Sequence, residues 1–316
     1  MVQRLPSGED GELSRFLRPL ISSFVADVGY RGPCKVTERY WTALHKNAAE
    51  TGIPHPEGST SYKCLILGGH YSFVCFPKHP LDVQVHIGIY TWFAILIDNL
   101  TSKDLPDIER FYEHFANGKP QPTPLLECFA EKLRGMFKYW DPVPASGIVS
   151  SSISFVNGCA MEIRFDMENM TPTKGGLKYS WYLRERSGIG EAFSFFVFPK
   201  AKYPDISCFI EAIPDLSVYT CLCNDILSFY KEEKAGETNN YIHITAGYRE
   251  KDAWAVLKDT VSELEGVVSR MRMVVKGKQP YEQAVEDYIV GSIDFHLQGD
   301  RYKLREIGVK DTGEVE

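Results

Sequence analysis

Several common frameworks are missing from this 316-residue sequence. No GxxxxGK[S/T] loop occurs, and no GxGxxG follows a strand pattern, which removes the usual nucleotide-binding folds. HExxH and GxSxG are absent too, so zinc-protease and serine-hydrolase arrangements are excluded. The eight cysteines (34, 64, 75, 128, 159, 208, 221 and 223) are scattered and include no CxxC pair. Cys221 and Cys223 stand too close on a helix for a disulfide or a zinc knuckle, so most of the set reads as small buried hydrophobes in a reducing compartment. None of the eight histidines has a partner at metal spacing. Excess positive charge is lacking as well. The net charge of −7 argues against nucleic acid, whose phosphates select basic surfaces. No uninterrupted apolar run reaches the roughly 18 residues of a membrane span; residues 81–100 come nearest, broken by Asp82, Gln84 and His86. The opening residues lack the apolar core of a signal peptide, so the expected compartment is the cytoplasm.

What is present is apolar and helical. The chain is 44% hydrophobic and 13% aromatic, enough for a sizeable core. Apolar residues recur at helical spacing over 11–28, 36–50, 106–116, 125–140, 148–167, 179–187, 188–198, 205–212, 251–275 and 281–297. The run 64–76 fits strand or buried helix by pattern, and helix is preferred because its neighbours are helical. Residues 81–100 and 214–233 are apolar almost all round, as central helices of a bundle must be. Asp141-Pro-Val-Pro144 reads as a helix stop, and residues 234–247 as a loop. Without alternating strands or repeats, the expected fold is all-α: one domain over residues 1–316.

The most informative stretch is Cys223-Asn-Asp-Ile-Leu-Ser-Phe-Tyr-Lys-Glu-Glu233. Asn224, Ser228 and Glu232 stand at i, i+4 and i+8. Each step of four drifts only about 40° round a helix, so the three share one face over about 12 Å. An amide oxygen, a hydroxyl and a carboxylate form an all-oxygen donor set suited to Mg²⁺. The bland alternative is a polar face of a surface helix, but the flanking Leu222, Ile226, Leu227, Phe229 and Tyr230 leave little room for one. A second polar signal closes the apolar run 81–100: Asp98, with Ser102 one helical turn further on. An acid there is costly to bury unless it is paired or holds a metal, and the alternative is that the helix simply meets water at Asp98-Asn99. Arg184, Lys231, Arg301 and Tyr302 are the candidate anion donors. Taken singly, each charge reads as solvated surface; an expected anion gives the Arg forks a purpose.

These residues resemble a known family. Asn224-Asp-x-x-Ser228-x-x-x-Glu232 is similar to the second metal-binding motif of class I terpene cyclases, and its Ser-Phe-Tyr-Lys-Glu form is that of the fungal trichodiene synthase family. Further similarities follow in family order. Asp98 stands where the aspartate-rich motif begins, and Gly158-Cys-Ala-Met-Glu162 resembles a Gly-Cys-x-x-Glu stretch. Tyr182-Leu-Arg184 with Gly188-Ile-Gly190 resembles a diphosphate-sensing helix. Arg301-Tyr302 resembles the family's C-terminal Arg-Tyr pair. The sequence departs from the pattern at Asn99, where the family has a second aspartate, and it carries extra residues before Ser102-Lys103-Asp104 and a longer loop between Glu162 and Arg184.

The resemblance implies a helical bundle with a central cavity. It implies Mg²⁺ (three ions) held by Asp98, Asn224, Ser228 and Glu232. The diphosphate of a farnesyl diphosphate substrate would be held by Arg184, Lys231, Arg301 and Tyr302. The implied reaction is cyclisation to a sesquiterpene hydrocarbon or alcohol, by a homodimeric enzyme. Thr91, Ala94, Ile95, Phe93, Phe155 and Phe295 are the expected cavity residues, and their mismatch with the family implies a different product. Two alternatives stay open. An isoprenyl diphosphate synthase would carry two aspartate-rich motifs, where one is found; an inactive helical binding protein would leave the intact Asn224, Ser228 and Glu232 without a purpose.

Overall fold

The computed structural model describes residues 10–30 and 32–309, and among them every regular element is helical. In chain order these are α1 (Asp10–Asp27), α2 (Glu38–Glu50), α3 (Thr60–Cys75), α4 (Leu81–Asp98), α5 (Leu105–Ala116), α6 (Pro124–Arg134), α7 (Met136–Tyr139) and α8 (Pro142–Ile163). Then follow α9 (Phe165–Glu168), α10 (Tyr179–Ser187), α11 (Gly190–Phe196), α12 (Ile213–Ala235), α13 (Tyr241–Arg249), α14 (Ala253–Val275) and α15 (Tyr281–Gln298). Short 3₁₀ turns precede α12 and follow α15.

Two helices form the centre, as their all-round apolarity requires. In α4, residues 83–94 are all buried; in α12, residues 225–230 are. The helix α3 packs along α4 and also against α15, α8 packs on α10 and α11, and α12 lies between α11, α14 and α15. The α3–α4 approach depends on glycine. A Cβ at Gly68 would stand 2.7 Å from the backbone nitrogen of Trp92, so only hydrogen fits there. By length and composition α4 could cross a membrane, the one such helix among the described residues, but 67% of it is buried inside the fold.

Four local expectations need correction. Residues 234–247 are not a loop throughout. The helix α12 ends at Gly236 in the left-handed region (φ +71°), with the Glu237 N–H donating to the Glu232 carbonyl at 2.9 Å. Asn240 then caps α13 by accepting from the His243 N–H at 3.0 Å, and buried Ile242 and Ala246 anchor the helix. The helix before Asp141-Pro142 does stop, at Tyr139, but the same pair also starts the next one. The Asp141 carboxylate accepts from the Val143 N–H at 3.0 Å and Pro142 takes the first helical position, where its missing N–H costs nothing. The following helix, expected to reach Met167, ends at Ile163 because Arg164 adopts an extended backbone. Finally, α4 ends at Asp98, so Ser102 does not share its face.

Candidate active site

The C-terminal halves of α4 and α12 open onto one cavity of about 360 Å³. Its mouth is polar and its floor apolar. All eight residues singled out from the sequence line it: Asp98 from α4, Arg184 from α10, Asn224, Ser228, Lys231 and Glu232 from α12, and Arg301 and Tyr302 from the turn after α15. Asn99 and Asp104 do not. The Asn99 amide donates to the Cys64 sulfur at 3.6 Å, and the Asp104 carboxylate accepts from the Thr101 N–H at 2.9 Å and its hydroxyl at 3.0 Å. These bonds make the segment after Asp98 a structural turn.

Arg184 is the most constrained charge. Its Nε donates to Asp225 at 2.8 Å, and its Nη2 donates to the Cys221 carbonyl at 2.9 Å and to Asn224 Oδ1 at 3.1 Å. Burial opposes its charge, but Asp225, Cys221 and Glu232 hold the guanidinium above its ordinary value. Burial pushes the Asp225 carboxyl up to about 6 against the pull of the same arginine. Asp225 is one residue from Asn224 and about 100° round the helix; both line the cavity, and Asp225 also anchors α12 to Arg184 of α10.

Asp98 stands at the mouth, open to solvent yet walled by protein. Its pKa is raised by burial, while Arg301, Arg184 and Lys231 draw it down, so three cations already feel this acid. Glu162 of α8 also lines the cavity and is raised by burial and by Asp98; Ser187 hydrogen-bonds to it. Lys231 lies 3.6 Å from Glu232, and both side chains are mostly covered, 18% and 12% exposed. Burial raises the Tyr302 phenol, so it remains a donor at neutral pH.

Ser228 decides whether the α12 face suits a cation. Its hydroxyl is buried and finds no hydrogen-bond partner among the described residues. A buried orphan of this kind costs about 1–3 kcal/mol, which a bound ligand would recover. Among the described residues no three His, Cys, Asp or Glu side chains cluster as a metal site. The donor set here is instead one amide, one hydroxyl and one carboxylate, with Asp98 across the cavity: few, hard protein oxygens, as Mg²⁺ prefers. The residues fit the ion.

The floor is aromatic. Thr91, Ala94, Ile95, Phe155 and Phe295 line it as expected, joined by Tyr71 and Phe193. Tyr71 meets Phe193 and Phe295 at centroid distances of 4.9 and 5.0 Å. Phe93 is not among the lining residues; it is buried against Trp92, 5.0 Å away. The hydroxyl hydrogens of the floor are spent on the helix backbone: Thr91 donates to the Ile87 carbonyl, Thr220 to Leu216 and Ser292 to Tyr288, each at 2.8 Å.

Comparison with known proteins places this geometry. The Trichodiene synthase (TRI5) family matches residues 65–314. The chain belongs to the trichodiene synthase family. Membership makes it a terpene cyclase, a carbon–oxygen lyase acting on a prenyl diphosphate. Within the family it is 37% identical to a longiborneol synthase of Gibberella zeae over 98% of this chain and 94% of that protein. It is 33% identical to terpene synthase BipA of Cochliobolus sativus, over 94% of this chain and 92% of the relative. The fold is shared more widely. The structure of a linalool/nerolidol synthase from Streptomyces clavuligerus superposes with a TM-score of 0.62 at 12% identity, covering 84% of this chain and 97% of that one. The structure of a single-site variant of cucumene synthase gives 0.59 at 11% identity, over 84% and 97%.

For this family member, sequence reasoning missed four contributors. Asp225 sits inside the motif, but its partner Arg184 is 41 residues away. Tyr71 and Phe193 come from helices with no polar signal. His296, which lacks any partner at metal spacing in the sequence, contacts Asn224.

Proposed function

We propose that this family member is a Mg²⁺-dependent sesquiterpene cyclase that ionises farnesyl diphosphate and cyclises it to a hydrocarbon or alcohol, releasing diphosphate. The observation that carries the reading is the division of one cavity into a polar mouth, holding an orphaned Ser228 hydroxyl between Asn224 and Glu232, and an aromatic floor. Relatives named longiborneol synthase and terpene synthase support it.

Asp98, Asn224, Ser228 and Glu232 would hold the metal, three ions by the family's pattern. Bound Mg²⁺ supplies Lewis-acid charge to the diphosphate oxygens. Arg184, Lys231, Arg301 and Tyr302 donate hydrogen bonds to the same group. They stabilise the negative charge that grows on it as the C1–O bond breaks, and being held in place beforehand they need little reorganisation. Tyr71, Phe155, Phe193 and Phe295 present ring surface to the allylic cation, a contact worth about 2 kcal/mol when desolvated. The Thr91 hydroxyl, with its hydrogen held by the Ile87 carbonyl, offers oxygen and not hydrogen to that cation, while the Thr220 oxygen accepts from the Tyr288 hydroxyl at 2.7 Å. Asn239, Asn240, Tyr241 and Ile244, at and just before the start of α13, also line the cavity.

A homodimer in a reducing, cytoplasmic compartment fits the family pattern and the eight free cysteines; light scattering measures the former. The catalytic test is incubation with farnesyl diphosphate and Mg²⁺, with volatiles read by mass spectrometry. A cyclic sesquiterpene that disappears with EDTA is expected. Chain elongation on adding isopentenyl diphosphate, or no volatile product, overturns the reading.

A further inference from the structure

We infer that His296 is a positioning residue for Asn224, fixing its carboxamide so that the oxygen end, not the NH₂ end, faces the cation site. The inference rests on the metal-holding reading of α12 given above.

A carboxamide has two ends of nearly equal shape and opposite chemistry: oxygen ligates a cation, while NH₂ repels it. Something must choose between them. The His296 Nδ1 lies 2.6 Å from the Ser292 carbonyl, which can only accept, so Nδ1 carries the hydrogen. In the neutral ring Nε2 is then bare and can only accept. Asn224 Nδ2 lies 3.2 Å from that nitrogen and must be the donor. At the other end, Arg184 Nη2 donates to Asn224 Oδ1 at 3.1 Å. A flipped amide would set oxygen against the bare Nε2 and NH₂ against the guanidinium. Both contacts would be lost together. Arg184 uses one lone pair of Oδ1, and a carbonyl oxygen has a second for the metal.

The ring has little freedom to give way. His296 is 3% exposed, and Tyr302 and Phe295 pack on it at centroid distances of 4.4 and 5.1 Å. Tyr302 is itself one of the proposed diphosphate donors, so the histidine ties the C-terminal Arg-Tyr turn to the metal helix. The chain of contacts runs from the Ser292 carbonyl through His296 and Asn224 to Arg184 and Asp225, and joins α15, α12 and α10 at one point.

The test uses the full chain and five proteins: wild type, His296→Leu, His296→Gln, Asn224→Asp, and Asn224→Asp combined with His296→Leu. Leucine fills space without an acceptor, glutamine restores an oxygen acceptor at similar reach, and a carboxylate has no wrong end to present. Mn²⁺ binding is followed by the loss of the free-ion electron paramagnetic resonance signal beyond that caused by the same inorganic diphosphate without protein, with thermal unfolding measured in EDTA. Wild type should bind. His296→Leu should weaken Mn²⁺ about tenfold or more, as loss of a partner that orients a ligand does. His296→Gln should recover to within about threefold of wild type. In the Asn224→Asp background the histidine substitution should cost little. If wild type takes up no Mn²⁺ with diphosphate, the metal reading fails and takes this inference with it. If wild type binds and His296→Leu binds equally well, only the positioning role fails. Equal losses in the Leu and Gln variants that track a lowered melting temperature also overturn it, because they indicate packing alone. Should the Leu variant not fold, the Gln variant decides: about a tenfold loss there refutes the role, and retained affinity with a neighbouring acceptor supports it.

Discussion

Replacing Ser228 by alanine should make the ligand-free protein more stable and the enzyme worse. The residue is 2% exposed, and its hydroxyl has no hydrogen-bond partner among the described residues. Desolvating an unpaired hydroxyl costs about 1–3 kcal/mol, and alanine removes that cost while keeping nearly the same volume. Unfolding entropy of about 2 cal/mol/K per residue makes 1 kcal/mol worth roughly 1–2 °C for a chain of this length. The Ser228→Ala variant should therefore melt about 1–4 °C above wild type in EDTA without diphosphate. With Mg²⁺ and farnesyl diphosphate the order reverses, because the hydroxyl is one of three oxygens on the α12 face. Activity should fall about 10²-fold, in line with the loss of a group that stabilises charge in the reaction, and most of the stabilisation by Mg²⁺ with diphosphate should vanish. Calorimetry with and without the ligands, paired with product quantification, reads both halves. A variant that melts lower than wild type in EDTA and keeps full activity would refute the reasoning, since Ser228 would then be paired and uninvolved.

Three further outcomes follow from the same geometry. Asp225→Asn leaves the largely buried Arg184 guanidinium without its counter-charge and should cost about 3 kcal/mol, read by chemical denaturation; an unchanged midpoint would show that the pair is not needed. Gly68→Ala places a methyl 2.7 Å from the Trp92 backbone nitrogen and should destabilise by about 1–3 kcal/mol, and wild-type stability would mean that α3 and α4 separate freely. Burial holds His86 down at about 3 and His79 at about 4. Their folded values lie below the unfolded value near 6.5, so the unfolded chain binds more protons between the two, and stability falls as pH drops from about 6.5 toward 4, by about 1.4 kcal/mol per unit and group. A His86→Phe variant should lose melting temperature less steeply over that window; an identical slope excludes His86 as a contributor.

The helical fold and the α12 donor face were open to sequence reasoning because both are local. Spacing of about 3.6 residues per turn places Asn224, Ser228 and Glu232 on one side whatever surrounds them, and all-round apolarity marks α4 and α12 as central. Asp98 was legible for the same reason: an acid ends an apolar helix. Signals that serve two purposes were harder. Asp141-Pro142 reads as the stop of one helix, and whether it also starts the next depends on whether the aspartate reaches the Val143 N–H. The polar stretch ahead of α13 hid a helix whose support comes from burial of Ile242 and Ala246.

The tertiary structure alone decided which side chains meet. Nothing in the spacing ties Asp225 to Arg184, turns Phe93 into the core while Tyr71 and Phe193 reach the cavity, or sets His296 against Asn224. Backbone hydrogen bonding fixes the face a residue occupies on its own helix, and sequence suffices for that. The partner that face finds depends on how helices distant in the chain pack, and packing is settled by the whole core at once.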